Sequence, residues 1–505
     1  MNFSQLKSIP DMKSFTNFLL LILTGVVVQC YAQNPIVPPG VYIADPSAHV
    51  WNDGKLYIYG SLDESPEYYC SHRHHVFSTS DLKSWILTEN VFSSKGENDT
   101  SSIITNLVTE KEHYFHEGGY MVKRSGKNIN NQDKITVAAY YFPNYHTNDP
   151  RNIKIKGTGW SEWELVKTAK PRFPGHHQPN VPLWGYTDEK DPLVMAQKID
   201  AAADNGIDCF IFDWYMYEDG PFLNRCIDEG FLKAKNCDRI KFGLMWANHD
   251  WVDIHPYTLG AEQKLLYPGK VSPQRFDEIC DFVIKEYFAK PNYWKIDGKA
   301  YFSVYDVQKF VEGFGSMEAT KAAMDRMRDK AIAAGLKGVH WNLVAWGNPI
   351  LPVEKAPSNT PELIKMLGFD SSTSYVWIHH VELPKTQTDY NYVRDAYFAH
   401  WDKAKAAYGV PYFPNVTMGW DPTPRCDLNS EWANVGYPFM NTLSNNTPEN
   451  FKKALRLTKE KLLAEPHGPR ILNINCWNEW TEGSYLEPDT VNGMKYLEAV
   501  KEVFK

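Results

Sequence analysis

At 505 residues, 43% of them hydrophobic and 23% charged, the chain has room for one large domain and a small one, and its make-up is globular rather than disordered or fibrous. A net charge of −8 and the lack of a basic stripe argue against a nucleic-acid partner, which would need cations to neutralise phosphates. Aromatics are the outlier, with 17 Trp and 29 Tyr, and several fall at the ends of expected strands, where their faces suit the C–H faces of a sugar.

The first segment reads as an export address. Lys13 precedes the apolar run Phe18 to Val28, and Cys30-Tyr31-Ala32 ends in small residues at signal-peptidase spacing, so residues 1–32 are expected to be a signal peptide with Gln33 as the mature start. The apolar run is too short to span a bilayer, and no integral membrane segment is expected after its removal. The destination is periplasmic, cell-surface or secreted. In that oxidising setting seven of the eight cysteines remain, all but Cys30, and an odd number leaves at least one unpaired. Cys226 and Cys237 are close enough in sequence to pair, although spacing alone does not establish a bridge. No CxxC or His/Cys spacing suggests zinc, and neither metal nor cofactor is expected.

Residues 38–92 alternate in short runs (VYIAD, KLYIYGS, HHVFSTSDLKSW) separated by turn residues such as Asn52-Asp53-Gly54, which predicts a small all-β module. The phrases IADPSAHVWNDGKLYIYGS and STSDLKSW resemble the opening of a glycoside hydrolase family 43 propeller, and that resemblance would match Asp45 to its catalytic base. Four or more four-stranded blades do not fit in about ninety residues, so the module is read as an accessory or remnant. Residues 93–134, rich in Ser, Asn, Lys and Gly, read as linker.

From residue 135 to 505, apolar strands alternate with helical patterns. The expected strands are ITVAAYYF (135–142), DCFIFDWY (208–215), KFGLMWA (241–247), AYFSVYD (300–306), HWNLVAW (340–346), SSTSYVW (371–377), PYFPNVTM (411–418) and ILNINCW (471–477). Eight continuous apolar strands separated by helices predict an α/β fold, a (β/α)8 TIM barrel, and no GxGxxG follows the first strand to favour an open sheet. Asp191-Pro192 opens one helix as cap and first residue, and Gly206 ends it.

Barrel sites gather at the C-terminal ends of the strands. That rule nominates Tyr141 and His146 after strand one, Asp213 and Trp214 after strand two, Trp246 and Asn248 after strand three, and Tyr375 after strand six as substrate contacts. Trp160 and Glu162 join them from the long loop Gly157 to Pro182. Strand eight delivers Trp477, Asn478, Glu479, Glu482 and Glu487 within eleven residues. Two carboxyl groups held close cannot both ionise easily, so Glu479 and Glu482 are the candidate catalytic pair, one acid and one base.

The string NEWTEGSYLEP resembles the Asn-Glu-Trp-x-Glu-Gly signature of glycoside hydrolase family 99 and of the related WbsX-like family. From Lys134 onward, PNYH, GTGWSEWELVKTAKPRFPGHHQPNVP, GLMWANHDW, KIDGKAYFSVYD and GWDPTPR follow the WbsX-like order. Carried over, the resemblance implies retention of configuration, with Glu482 protonating the leaving oxygen and Glu479 drawing a proton from the sugar 2-hydroxyl so that this oxygen attacks the anomeric carbon. That departs from the usual template, in which the second carboxylate is itself the nucleophile. Asn478 would orient Glu479, and Glu487 would hold the loop or bind a hydroxyl. The expectation is an exported glycoside hydrolase with an oligo- or polysaccharide substrate. Two rivals stand beside it. One is a glycosyltransferase of surface-polysaccharide assembly, at odds with an export signal because sugar-nucleotide donors are cytosolic. The other is a non-catalytic glycan-binding protein.

Overall fold

The structure is a computed structural model that describes residues 43–50, 54–62, 73–80, 85–93, 112–116, 119–122 and 134–505 apart from 466–467. The expected signal peptide and Cys70 lie outside these residues. The chain divides into two compact units, Met1–Ile129 and Asn130–Lys505.

In the first unit, Ile43–Val50, Leu56–Leu62, Arg73–Thr79, Trp85–Ser93, Glu112–His116 and Gly119–Val122 form one antiparallel sheet in chain order. Ile58, Val76, Phe77 and Leu87 are buried apolar residues among those described in it. The last two strands lie inside the 93–134 stretch that reads as linker. The polar composition around them conceals two short β-forming runs, EHYFH and GYMV, and the first pairs with Trp85–Thr88. A single six-stranded meander is not a four-stranded blade, so the propeller likeness goes no further than the two sequence phrases.

The second unit is built on parallel strands at Thr136–Tyr141, Cys209–Tyr217, Lys241–Trp246, Lys299–Val304, Val339–Val344, Ser371–Thr373, Tyr412–Phe413, Asn415–Thr417 and Ile471–Asn475. Their pairing runs in chain order from the first, through Ser371–Thr373, to Tyr412–Phe413. From the other side, Thr136–Tyr141 pairs with Ile471–Asn475, which pairs with Asn415–Thr417. The two open ends of this path are halves of one strand, the seventh, parted at Pro414. Proline has no N–H to give to a ladder, so the strand leaves its first neighbour there and takes up the second. The Pro414 carbonyl still accepts from Asn473 N at 3.0 Å. Counted this way, eight strands close the barrel.

Along each strand, side chains alternate between the barrel interior and the helix layer. On the fourth strand Tyr301, Ser303 and Tyr305 point inward while Phe302 packs outward on Phe288 and Trp341. The interior below the mouth is polar. Asn342 accepts from Tyr301 and Ser303 at 3.1 and 2.8 Å and donates to Ser371 at 2.8 Å, and Asn473 reaches across to Thr373 at 2.7 Å. These contacts offset the cost of burying amides and hydroxyls. The outward faces carry the hydrophobic load, each fully buried large side chain contributing about 1.5–3 kcal/mol. The helix Pro192–Asp204 starts as its sequence predicts, with Asp191 accepting from Leu193 N at 2.8 Å, and it is followed by Gly206 at φ 91°. Among the described residues no helix is long and apolar enough to cross a membrane.

Candidate active site

A cavity lies at the C-terminal ends of the strands. Phe142, Met245, Trp251, Ile350, Leu351 and Trp420 contribute apolar wall, and the polar groups gather around Asp213, Tyr375, Arg425, Tyr437, Glu479 and Glu482.

The glutamates reach it through a tight turn. Asn478–Glu479 pairs antiparallel with Ser484–Tyr485, and Trp480–Glu482 forms the single 3-10 turn between them. Gly483 ends the turn at φ 61°, where a Cβ would lie 2.8 Å from the Asp421 Cβ, so both the backbone conformation and the close approach require glycine. Trp480 stacks on Tyr485 at 3.7 Å and braces the turn from behind. Glu479 and Glu482 consequently line the same cavity, at 4% and 5% exposure.

One cation organises their charge. Arg425, from the turn Thr423–Arg425 that follows strand seven, is buried and donates through Nη1 to Glu482 Oε1 at 2.7 Å. Its Nη2 lies 3.5 Å from Glu479 Oε1, and its Nε and Nη2 both sit 2.7 Å from Glu162 Oε1. Tyr437 donates to Glu482 Oε1 at 2.7 Å and also meets Arg425 Nη1. Three carboxylates thus share one guanidinium. Burial pushes both Glu479 and Glu482 above the ordinary carboxylate range; the neighbouring Glu482 adds to the push on Glu479, and Arg425 works against it on both. Tyr375 donates within 2.5 Å of Glu479 Oε2 and lies 2.8 Å from Asp213 Oδ2. Burial raises Asp213 well above its usual value and lowers His249 and His379, on the cavity wall, to about 4, so both imidazoles are neutral at pH 7.

Of the residues nominated from sequence, the cavity brings together Glu479, Glu482, Asp213 and Tyr375. Strand parity takes others elsewhere. Trp214 packs against Tyr287 and Phe302, Trp246 against Phe276 and Phe310, and Trp477 against Phe210. Tyr141 turns to the helix side, donating to Glu189 at 2.9 Å. Asn478 ties strand eight to strand one through both the N–H and the carbonyl of Phe142, at 2.8 and 2.7 Å, which fixes the backbone just before Glu479. Glu487 accepts from Trp480 Nε1 at 2.8 Å and pairs with Lys198 at 2.5 Å, and Lys198 also meets Glu189 at 2.6 Å. Asn248 exchanges two hydrogen bonds with the backbone of Asp306. Glu162 sits behind the wall as counter-ion to Arg425. His146 is buried with Nδ1 donating to the Pro143 carbonyl at 2.8 Å, and Trp160 is half-buried in the loop after strand one.

Arg425 and Tyr437 are not among the sequence nominations. The signal for Arg425 was electrostatic: a cluster of acids at one barrel mouth needs a cation, and GWDPTPR places an arginine at the end of strand seven. Cys226 and Cys237 are free, as are Cys209, Cys280, Cys426 and Cys476, so no bridge joins the two that the spacing left open.

The fold and this cavity define a (β/α)8 barrel protein whose acidic site opens at the C-terminal mouth. Residues 137–500 match the family described as Glycosyltransferase WbsX, and the chain belongs to that family. The uncharacterized protein WxcX of Xanthomonas campestris pv. campestris is 25% identical over 381 residues, covering 73% of this chain and 49% of that protein. The chain spans about half the length of the curated relatives it matches. Among solved structures, it is similar to the GH99 endo-alpha-mannosidase from Bacteroides thetaiotaomicron, at 14% identity and a TM-score of 0.42, covering 72% of this chain and 95% of that one. A glycoside hydrolase-like protein is similar at 15% identity and 0.46, with 74% and 94% covered.

Proposed function

We propose that this chain is an exported glycoside hydrolase that cleaves an oligo- or polysaccharide with Glu479 and Glu482. The observation that carries the reading is that these two carboxyls, delivered by one turn, line one cavity and share Arg425. Glu482 has Oε1 occupied by Arg425 and Tyr437, which leaves Oε2 to give its proton to the leaving glycosidic oxygen. Glu479, held through Oε2 by Tyr375, takes the proton of the sugar 2-hydroxyl as that oxygen closes on the anomeric carbon and the glycosidic bond breaks. Water then opens the three-membered ring. Glu482 takes the water proton, Glu479 returns its proton to the 2-oxygen, and configuration is retained. Burial supports the acid role by pushing the Glu482 carboxyl upward, and at Glu479 the same push is opposed by Arg425, whose charge the apolar wall leaves poorly screened.

The family description favours a second reading, transfer of a glycosyl group to an acceptor. The same pair serves it if a sugar hydroxyl replaces water. The experiment is a polysaccharide panel offered to mature protein, begun at Gln33, with products and anomeric configuration followed by NMR. Hydrolysis with retention is expected, and Glu482→Gln is expected to lower it about 100-fold or more with the melting temperature held. Product formed only when nucleotide sugars are added would replace hydrolysis with transfer. Full activity in Glu482→Gln would remove the assignment.

A further inference from the structure

Tyr375 stands between two acids, its hydroxyl 2.8 Å from Asp213 Oδ2 and 2.5 Å from Glu479 Oε2. A phenol has one proton to donate. It serves one carboxylate, and the other carboxyl must donate to the phenol oxygen or face it lone pair to lone pair. The chain Asp213–Tyr375–Glu479 therefore holds two protons, the phenol's own and one on a carboxyl.

The surroundings decide which carboxyl has it. Glu479 has Arg425 Nη2 at 3.5 Å, whereas Asp213 makes no ion pair among the described residues. Asp213 Oδ1 is also buried with no hydrogen-bond partner. Ionised, Asp213 would leave negative charge on that unpartnered oxygen. Protonated, it leaves only a neutral carbonyl there, which costs far less. The titratable groups around it (Tyr375, Glu479, Glu482, Tyr140, Tyr215 and Cys476) are acids or weak acids that offer no positive charge.

We infer that Asp213 is a positioning residue that keeps a proton on Oδ2, donates it to Tyr375, and thereby leaves Glu479 ionised as the base of the proposed reaction. The inference rests on the hydrolase reading for its consequence, though not for the site of the proton. Without Asp213 as holder, the proton shared through Tyr375 would pass to Glu479, which could then draw none from the sugar. Burial raises both carboxyls, and only Glu479 has Arg425 opposing it.

Infrared difference spectroscopy on the full chain at pH 7 tests the proton directly, without substrate. The C=O stretch of a protonated carboxylic acid is expected in wild type and in Glu479→Gln, and its Asp213 component is expected to vanish in Asp213→Asn. A band that survives Asp213→Asn and disappears in Glu479→Gln would place the proton on Glu479 and overturn the inference. The activity arm uses the glycan found in the panel. Asp213→Asn keeps an N–H donor for Tyr375 and is expected to retain turnover within about tenfold, while Asp213→Leu, which has none, is expected to lose about 100-fold. Equal losses in Asn and Leu, with both variants folded, would make Asp213 a charged group and refute the role. Failure of the hydrolase reading would leave the infrared result standing, which separates the two.

Discussion

Replacing Arg425 by Met removes the one cation that, among the described residues, contacts Glu162, Glu479 and Glu482, while keeping much of the side-chain volume. All three acids are at most 5% exposed, so solvent compensates their charge poorly. Removing one partner of a buried ion pair costs about 3–5 kcal/mol, because charge is left uncompensated in a poorly polarisable interior. At about 2 °C per kcal/mol, the low end suited to a large barrel, the melting temperature should fall by roughly 6–10 °C at neutral pH. The pH dependence supplies a sharper check. Without Arg425 the upward push of burial on Glu479 and Glu482 is less opposed, and their folded-state values rise further. A carboxyl raised in the folded state contributes stability below its unfolded value near 4.3 and loses it as pH rises through the folded value. The deficit should therefore be smallest near pH 4 to 5 and grow toward pH 8. Thermal melts of wild type, Arg425→Met and Arg425→Met/Glu162→Gln across that range read it out, the double variant recovering part of the loss. A melting temperature unchanged at pH 7.5, or a deficit that widens on acidification, would refute the reasoning.

Lys198→Met should lower barrel stability by about 3–5 kcal/mol, since it strands Glu189 and Glu487; an unchanged urea midpoint would contradict this. His379 is held neutral, its value lowered to about 4 by burial, and donates to the Asn348 carbonyl. A depressed histidine contributes stability above its unfolded value near 6.5 and loses it as pH falls toward 4. Wild type should therefore lose about 3 kcal/mol more than His379→Gln over that interval, at about 1.36 kcal/mol per pH unit. Parallel stability curves for the two proteins would count against it.

Most barrel strands are legible because they are short runs rich in apolar residues, and they are buried on both faces. That same property hides which face a side chain takes. Trp214 and Asp213 are neighbours in DCFIFDWY, and the pleat sends Asp213 to the cavity and Trp214 to the helices. Without a polar alternation to set the phase, proximity to a strand end selects both. The glutamates escape the ambiguity because a tight hairpin, not a barrel strand, presents them. Arg425 follows a proline in an irregular loop with no period to read, and its role depends on acids from loops and strands 54 to 263 residues away. The two short strands at Glu112–His116 and Gly119–Val122 are masked by their polar surroundings in the sequence.

The break at Pro414 has a consequence for synthesis. Half of strand seven finds its neighbour at once in Ser371–Thr373, but the other half, Asn415–Thr417, waits for residues 471–475 to leave the ribosome. Until then the first strand and this half-strand present unpaired edges, the sort that invite association between nascent chains. The turn that carries Glu479 and Glu482 comes after even that closing strand, so a chain stopped early would be sticky and would lack both acids.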